Sequence, residues 1–388
     1  MSIDPSETPV PLLTIAREWG RIGLIGFGGP PAHIALLRKL CVDDRGWLSA
    51  HEFEDGIAVT NLLPGPASTQ LAILCAWRLR GRVGAVVGGL CFIVPGLVII
   101  LGLASLFLAS NPPTWVLGVA GGLAAVVPAV AVNAAVGLVP GSWRRTGGRR
   151  PKKIRWVLYL AVGAGAAAVA GAFVVVALLA CGIIEVSLRP RTGTSPKALA
   201  ALPLSAVPAV GGLGALAWVA FKVGALSYGG GFVIIPLMQH DATAVYHWMS
   251  PAQFLNAVAL GQVTPGPVVL TVAVLGYAAA GIGGGLLAAA VAFAPSFLFV
   301  MFGGPHFDRL RTNPSIQSFL TGAGAAAIGA IAGASISLLR GLDAWWQFVL
   351  LGAAALWLLV LRRNVVVALL TAGAIGAVAV LAGAPIPR

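Results

Sequence analysis

Apolar residues run through this chain in blocks too long for the core helices of a soluble domain, parted by short polar or basic interruptions. About 20 mostly apolar residues at 1.5 Å rise cross the hydrocarbon of a bilayer. Stretches of that kind fall at 57–77, 83–109, 115–139, 198–220, 255–278, 283–303 and 316–340. The stretches 156–186 and 345–385 exceed one span and predict pairs of short helices. Gly163 and Gly165 mark the expected turn of the first pair, and Arg362-Arg363-Asn364 cuts the second. Two shorter segments, 20–40 and 222–240, carry Gly-Gly pairs and proline, and predict broken spans. The pattern predicts about 13 spans in all.

Composition agrees with the pattern. Hydrophobic residues make up 58% of the chain and charged residues 10%, against roughly 25% charged in a soluble domain. Too little charge is present to cover a water-facing surface, which excludes a soluble fold, and the apolar content excludes disorder. The predicted class is an all-α polytopic membrane protein. Of the four cysteines, Cys75, Cys91 and Cys181 lie in apolar runs and Cys41 beside a predicted interface; no CxxC occurs, so neither a zinc nor a redox motif is present. The first apolar stretch follows Ser2-Ile3-Asp4-Pro5 without a basic leader, so no cleaved signal peptide is expected.

The net charge is +13, from 25 Lys and Arg against 12 Asp and Glu. Its distribution says more than its size, because short loops rich in Lys and Arg stay cytoplasmic. The densest run, Arg144, Arg145, Arg149, Arg150, Lys152, Lys153 and Arg155, is expected inside, as is the loop of Arg78, Arg80 and Arg82. Asn111-Pro112-Pro113-Thr114 carries no charge and is expected outside. The basic balance therefore reads as topology. The lipid bilayer is the expected partner, and no nucleic acid is.

The sequence repeats itself. Gly23, Gly28, Gly29, Trp47, Ser49, Phe53, Pro64, Gly65 and Pro66 recur in order as Gly224, Gly229, Gly230, Trp248, Ser250, Phe254, Pro265, Gly266 and Pro267, and Gly81 and Pro95 recur as Gly281 and Pro295. Loop charges flip between the copies: the basic loop 78–82 answers an uncharged 279–285, and the uncharged 110–114 answers Arg309 and Arg311. The reading is two homologous halves, 1–197 and 198–388, of about six spans each in inverted topology, with a linking span near 198–220. The N-terminus is expected inside and the C-terminus outside. Inverted repeats with interrupted helices are the sequence mark of secondary transporters that alternate access around a midplane site.

Two motifs recur in both halves and suit that chemistry. Phe27-Gly28-Gly29-Pro30 is answered by Tyr228-Gly229-Gly230-Gly231, and Pro64-Gly65-Pro66 by Pro265-Gly266-Pro267. Proline removes a donor and interrupts the helix ladder, while irregular backbone at membrane depth survives only where it lines protein or a water-filled cavity. A helix restarting after such a break carries roughly half a positive charge at its N-terminus. Four breaks could surround one anion with backbone donors. Ser68, Thr69, Gln70 and Thr271 follow the breaks and Asn61, Gln262 and Thr264 precede them, all side chains able to donate to an oxyanion. Arg21 and Lys222 occupy equivalent positions ahead of the Gly-Gly pairs and are the candidate full charges, with snorkelling to opposite interfaces as the alternative.

Other chemistries find less support. His51-Glu52 lacks the second His of a zinc helix, no GxxxxGK[ST] is present, and the spans hold no paired carboxylates. His33 becomes Ile234 in the second half, which favours packing over a ligand role. Glu18 and Glu185 are the carboxylates nearest membrane depth. No enzyme activity, metal or cofactor is expected; a lipid-phosphate enzyme and a channel are the rival classes.

The stretches GFGGPPAHIALL from Gly26, RGWLSAHEFEDGIAVTNLLPGPASTQLAI from Arg45, FKVGALSYGGGFVIIPLM from Phe221 and WMSPAQFLNAVALGQVTPGPV from Trp248 resemble the chromate ion transporter superfamily in its long form with two homologous domains. The resemblance covers most of 20–105 and 221–300. It implies export of chromate across a bacterial cytoplasmic membrane, with sulfate as a related or competing anion. It leaves open the coupling ion and whether the chain pairs as a homodimer.

Overall fold

The computed structural model describes residues 10–61, 63, 65–109, 111–148, 150–169, 173–188, 212–227, 233–303 and 313–387. Among them are 14 α-helices and no strand. The first half holds α1 (Leu12–Ile25), α2 (Pro30–Arg38) with a π turn at Lys39–Asp44, α3 (Ala50–Thr60), α4 (Ala67–Phe107), α5 (Thr114–Arg144), α6 (Arg150–Val169) and α7 (Val174–Ser187). The second holds α8 (Leu213–Leu226), α9 (Ile234–Gln239) with a π turn at His240–Val245, α10 (Pro251–Val263), α11 (Thr271–Gly303), α12 (Pro314–Leu339), α13 (Trp345–Ala355) and α14 (Val365–Leu381). The chain is an all-α polytopic membrane protein.

Gly28-Gly29 forms the tip of a helical hairpin between α1 and α2. The π turn after α2 returns the chain to the side of α1, where Arg45 pairs with Glu18 at 3.1 Å and Trp47 stacks on Trp19 with ring centroids 6.5 Å apart. In the second half Lys222 of α8 pairs with Asp241 beyond α9 at 2.6 Å. A second hairpin follows in each half. Capping boxes, Ser49 with Glu52 and Ser250 with Gln253, start α3 and α10 by satisfying the first free amides. The Arg78 guanidinium of α4 donates to the Glu52 carbonyl, and Gly56 faces Leu71 and Leu74, so α3 and the start of α4 lie side by side with Gly65-Pro66 leading into α4.

The helix α4 then reverses within itself. Arg80 (φ −147°, ψ 24°) and Gly81 (φ 60°, ψ −151°) leave helical space, and Ala280 and Gly281 of α11 repeat those angles within about 10°. After the reversal Gly84 packs on the Ala76 carbonyl and Gly284 on that of Gly276, an approach that only folded-back arms allow. The first arm of α4, 67–79, is about 20 Å long and the second, 82–107, about 39 Å, so only the second is long enough to cross a bilayer. By length and composition, Ala67–Phe107, Thr114–Arg144, Val268–Gly303 and Pro314–Leu339 are the long membrane-crossing candidates.

The terminal helices are exchanged between the halves. The first half's α5 packs on α13 and α14, while α12 of the second half packs on α6 and α7. Small residues make this possible: Gly122 lies on the Ala372 carbonyl and Gly322 on that of Cys181. The first pair of short helices does not turn at Gly163 and Gly165: α6 continues through both to Val169, with Gly163 spent on close packing against the Ala326 carbonyl. The second pair is cut at Arg362-Arg363-Asn364 as expected, with Asn364 capping α14.

Two further expectations change. Segments 57–77 and 255–278 are each interrupted at Pro-Gly-Pro and are not single spans. Segments 20–40 and 222–240 fold back and do not cross in line. Residues 213–220 of the linking span belong to α8, while 198–211 lie outside the described residues, as do Arg309 and Arg311.

Candidate functional site

The four hairpin tips meet. The Gly65 amide donates to the Ser227 carbonyl at 2.9 Å, and the Gly266 amide donates to the Gly26 carbonyl at 3.1 Å. Gly65 thus seats against the residue that ends α8, and Gly266 against the residue that ends α1, each in the opposite half. Gly65 (φ +125°) and Gly266 (φ +99°) hold backbone conformations that favour glycine. The proline kinks of the long arms close the arrangement: Gly96, after Pro95, abuts the Pro265 carbonyl, and Ser296, after Pro295, abuts Gly65.

His33 joins three of these segments. Fully buried, it contacts the Gly26 carbonyl through Nε2 at 2.9 Å and the Ser68 hydroxyl through Nδ1 at 3.2 Å, with its ring edge-on to Phe92. A carbonyl only accepts, so the neutral ring carries its proton on Nε2 and Ser68 donates to Nδ1. The imidazole therefore ties Ser68 to the Gly26 carbonyl, which accepts from the Gly266 amide as well. Sequence reasoning assigned His33 to packing, because its counterpart is Ile234; the tie exists in one half only.

Two adjoining cavities open beside the tips. The larger, about 380 Å³, is lined by Gly28, Gly29, Asn61, Ala67, Asn133 and Gln262 among others. The second, about 300 Å³, shares Asn61, Ala67, Gly137 and Leu138 and extends past Thr60, Gly65 and Ser142 to Arg144 and Arg145. No carboxylate is among the lining residues of either. The α4 N-terminus, with Ala67 on the wall of both, offers amides that the helix itself leaves unpaired.

Buried polar atoms converge on the same region without partners among the described residues: Thr69 Oγ1, Ser227 Oγ, Gln262 Nε2, Thr264 Oγ1 and Ser296 Oγ. Burying such a group unpaired costs about 1–3 kcal/mol. Five of them at one crossing point mark a place built to receive a polar guest.

The two ends of this region differ. Along α5, Gly137 and Gly141 face open space. Along α12 the corresponding stretch is covered: Gly329 lies on the Leu160 carbonyl, Gly333 on that of Ala164, Ser337 donates to Ala167 at 3.5 Å, and Gly341 sits against Leu255 and Pro251.

Of the residues expected at the site, Gly28, Gly29 and Gln262 line the large cavity and Gly65 the second. Pro66 immediately precedes α4, and Ser68, Thr69 and Gln70 are buried in its first turn. Pro265, Gly266 and Pro267 form the opposing tip, and Thr271 is buried with its hydroxyl donated to Val268 at 2.8 Å. Pro64, Tyr228, Gly229, Gly230 and Gly231 lie outside the described residues. Arg21 and Lys222 line neither cavity. The Arg21 side chain is 70% exposed beside Glu18 at 3.8 Å, and Lys222 is neutralised by Asp241, both at the hairpin bases. Sequence reasoning missed Asn133, which sits in an apolar helix with no motif around it, and read Arg144 and Arg145 as topology alone.

The family model described as chromate transporter matches the chain twice, over residues 13–186 and 214–377. A chromate transport protein of Cupriavidus metallidurans is 34% identical over 82% of this chain and 80% of its own length. One from Pseudomonas aeruginosa is 29% identical over 92% and 89%, and a probable chromate transport protein of Synechococcus elongatus is 31% identical over 85% of each. No solved structure matches the chain.

Proposed function

The chain belongs to the chromate transporter family, and from that premise we propose that it exports chromate across a bacterial cytoplasmic membrane as a secondary transporter. The observation that carries this reading is the chamber at the crossing of the four tips. Its described walls offer the side-chain amides of Asn61, Asn133 and Gln262 and the N-terminal end of α4, and no carboxylate. Such a lining suits a tetrahedral dianion, whose oxygens only accept.

The two chromate-transporter repeats are taken as residues 1–197 and 198–388, inverted in the membrane, with the N-terminus inside and the C-terminus outside. The contrast between the open α5 side and the covered α12 side supports alternating access. In the other state α12 parts from α6 while α5 closes, so the two halves trade arrangements. On this topology the open end carries the basic segment 144–155 and faces the cytoplasm.

Expelling a dianion from a cell negative inside is downhill by roughly 4.6 kcal/mol at 100 mV. Export then needs no intramembrane proton carboxylate, and the chamber walls hold none. Sulfate shares the charge and shape of chromate, so it competes for the same donors. The test is chromate uptake into inside-out vesicles with an imposed potential, with and without excess sulfate. Potential-dependent uptake inhibited by sulfate is expected; uptake indifferent to potential at a fixed pH gradient would sink the export mechanism.

A further inference from the structure

Resting on the transport reading above, we infer that the second cavity is a separate anion-capture site, in which Arg144 and Arg145 hold the oxyanion before Asn61 passes it to the inner chamber. The inner chamber has no charged side chain on its described walls. A dianion leaving water for such a place loses hydration before any full charge meets it, and that step needs a preceding site. The second cavity supplies one. Both arginines end α5 on its rim, and both are solvent-exposed. Thr60 and Ser142 add polar atoms to the wall.

The geometry also gives the hand-over. Asn61, Ala67, Gly137 and Leu138 belong to both cavities, so the two adjoin along one wall. Asn61 is the polar side chain of that shared wall. It caps α3 at the end of the hairpin whose next turn is the first Pro-Gly-Pro. The equivalent of the arginine pair in the second half, Ala344-Trp345, is uncharged, so the pair itself is not repeated there. Fields from charges at the mouth of a low-dielectric cleft focus inward and raise the local concentration of counter-charge, an effect that salt removes.

The experiment is initial-rate chromate uptake into inside-out vesicles at low and high ionic strength, for the wild type, Arg144→Gln, Arg144→Lys and Lys152→Gln. Lys152 lies in the same basic segment but lines neither cavity, so its variant removes one charge from the same face. At low salt, Arg144→Gln should raise the half-saturating concentration about tenfold with the maximal rate kept within twofold. Arg144→Lys should restore most of the affinity, Lys152→Gln should match wild type, and the gap should close at high salt. Equal loss in Arg144→Gln and Lys152→Gln, or no loss in either, overturns the capture site while leaving transport intact. A wild type that moves no chromate overturns the transport reading and the capture site with it.

Discussion

The amide of Gly65 donates to the carbonyl of Ser227 at 2.9 Å, joining a tip of the first half to a tip of the second. Gly266 and Gly26 repeat the contact in reverse at 3.1 Å. Because Gly65 sits at φ +125°, Gly65→Ala adds about 1–2 kcal/mol of backbone strain, and its Cβ would meet the Gln70 side chain. Transport by this variant should fall at least about tenfold while the protein still inserts. Vesicle uptake normalised to the amount of membrane-inserted protein is the measurement, and unchanged uptake would show that the crossing is dispensable.

His33 and Ser68 should act as one unit. His33→Ala leaves the Ser68 hydroxyl without its buried acceptor and the Gly26 carbonyl with the Gly266 amide alone, at a cost of about 1–3 kcal/mol. Ser68→Ala alone should cost less, since a hydroxyl is lost and Nε2 keeps its acceptor. A double-mutant cycle read by thermal unfolding in detergent should give a coupling of at least about 0.5 kcal/mol. Additive losses would mean the two side chains stabilise the fold independently.

A carboxylate in the chamber should repel the substrate. Gln262→Glu replaces an amide whose Nε2 has no partner among the described residues with a negative charge on the chamber wall, and like-charge juxtaposition costs several kcal/mol. The half-saturating chromate concentration is expected to rise at least about tenfold, whereas Gln262→Asn keeps the donor and should lose far less. Similar kinetics for both variants would remove Gln262 from the binding wall.

Accessibility should follow the asymmetry of the two ends. A cysteine at Gly141, which faces open space, should react with an impermeant maleimide, and one at Gly341, against Leu255 and Pro251, should not. Joining Gly333→Cys to Ala164→Cys should hold the covered end shut and stop transport, with recovery on reduction. Reactivity at both glycines together would point to a continuous channel.

Topology is tested apart from mechanism. Cysteines at Asn111 and Gly147 should label from opposite faces of the membrane, and labelling from one face would refute the orientation as drawn.

Much of the site was legible because glycine and proline announce backbone breaks without reference to tertiary structure. The Pro-Gly-Pro pairs and Gly28-Gly29 could be named from residue type and repetition alone. Whether a break bends the chain back or lets it continue was not legible, since that depends on contacts such as Arg45 with Glu18. For the same reason the pairing of Lys222 with Asp241 was not legible: equivalent positions promise equivalent geometry but say nothing of an acidic neighbour folding in from elsewhere. Gly163 misled as a turn because glycine serves close helix packing as readily as it serves reversal. Asn133 had no signal beyond being the sole polar side chain in its stretch of α5.

The exchange of terminal helices sets a condition on the order of synthesis. The carbonyl that Gly122 rests on belongs to Ala372, so α5 leaves the ribosome long before its partner exists. At 5–20 residues per second the wait is roughly 10–50 s. Throughout that time the packing face of α5 has only lipid or a foreign helix to rest against. The protein therefore completes its first half last, and a stop codon late in the gene, within α14, would undo packing made by residues near position 120.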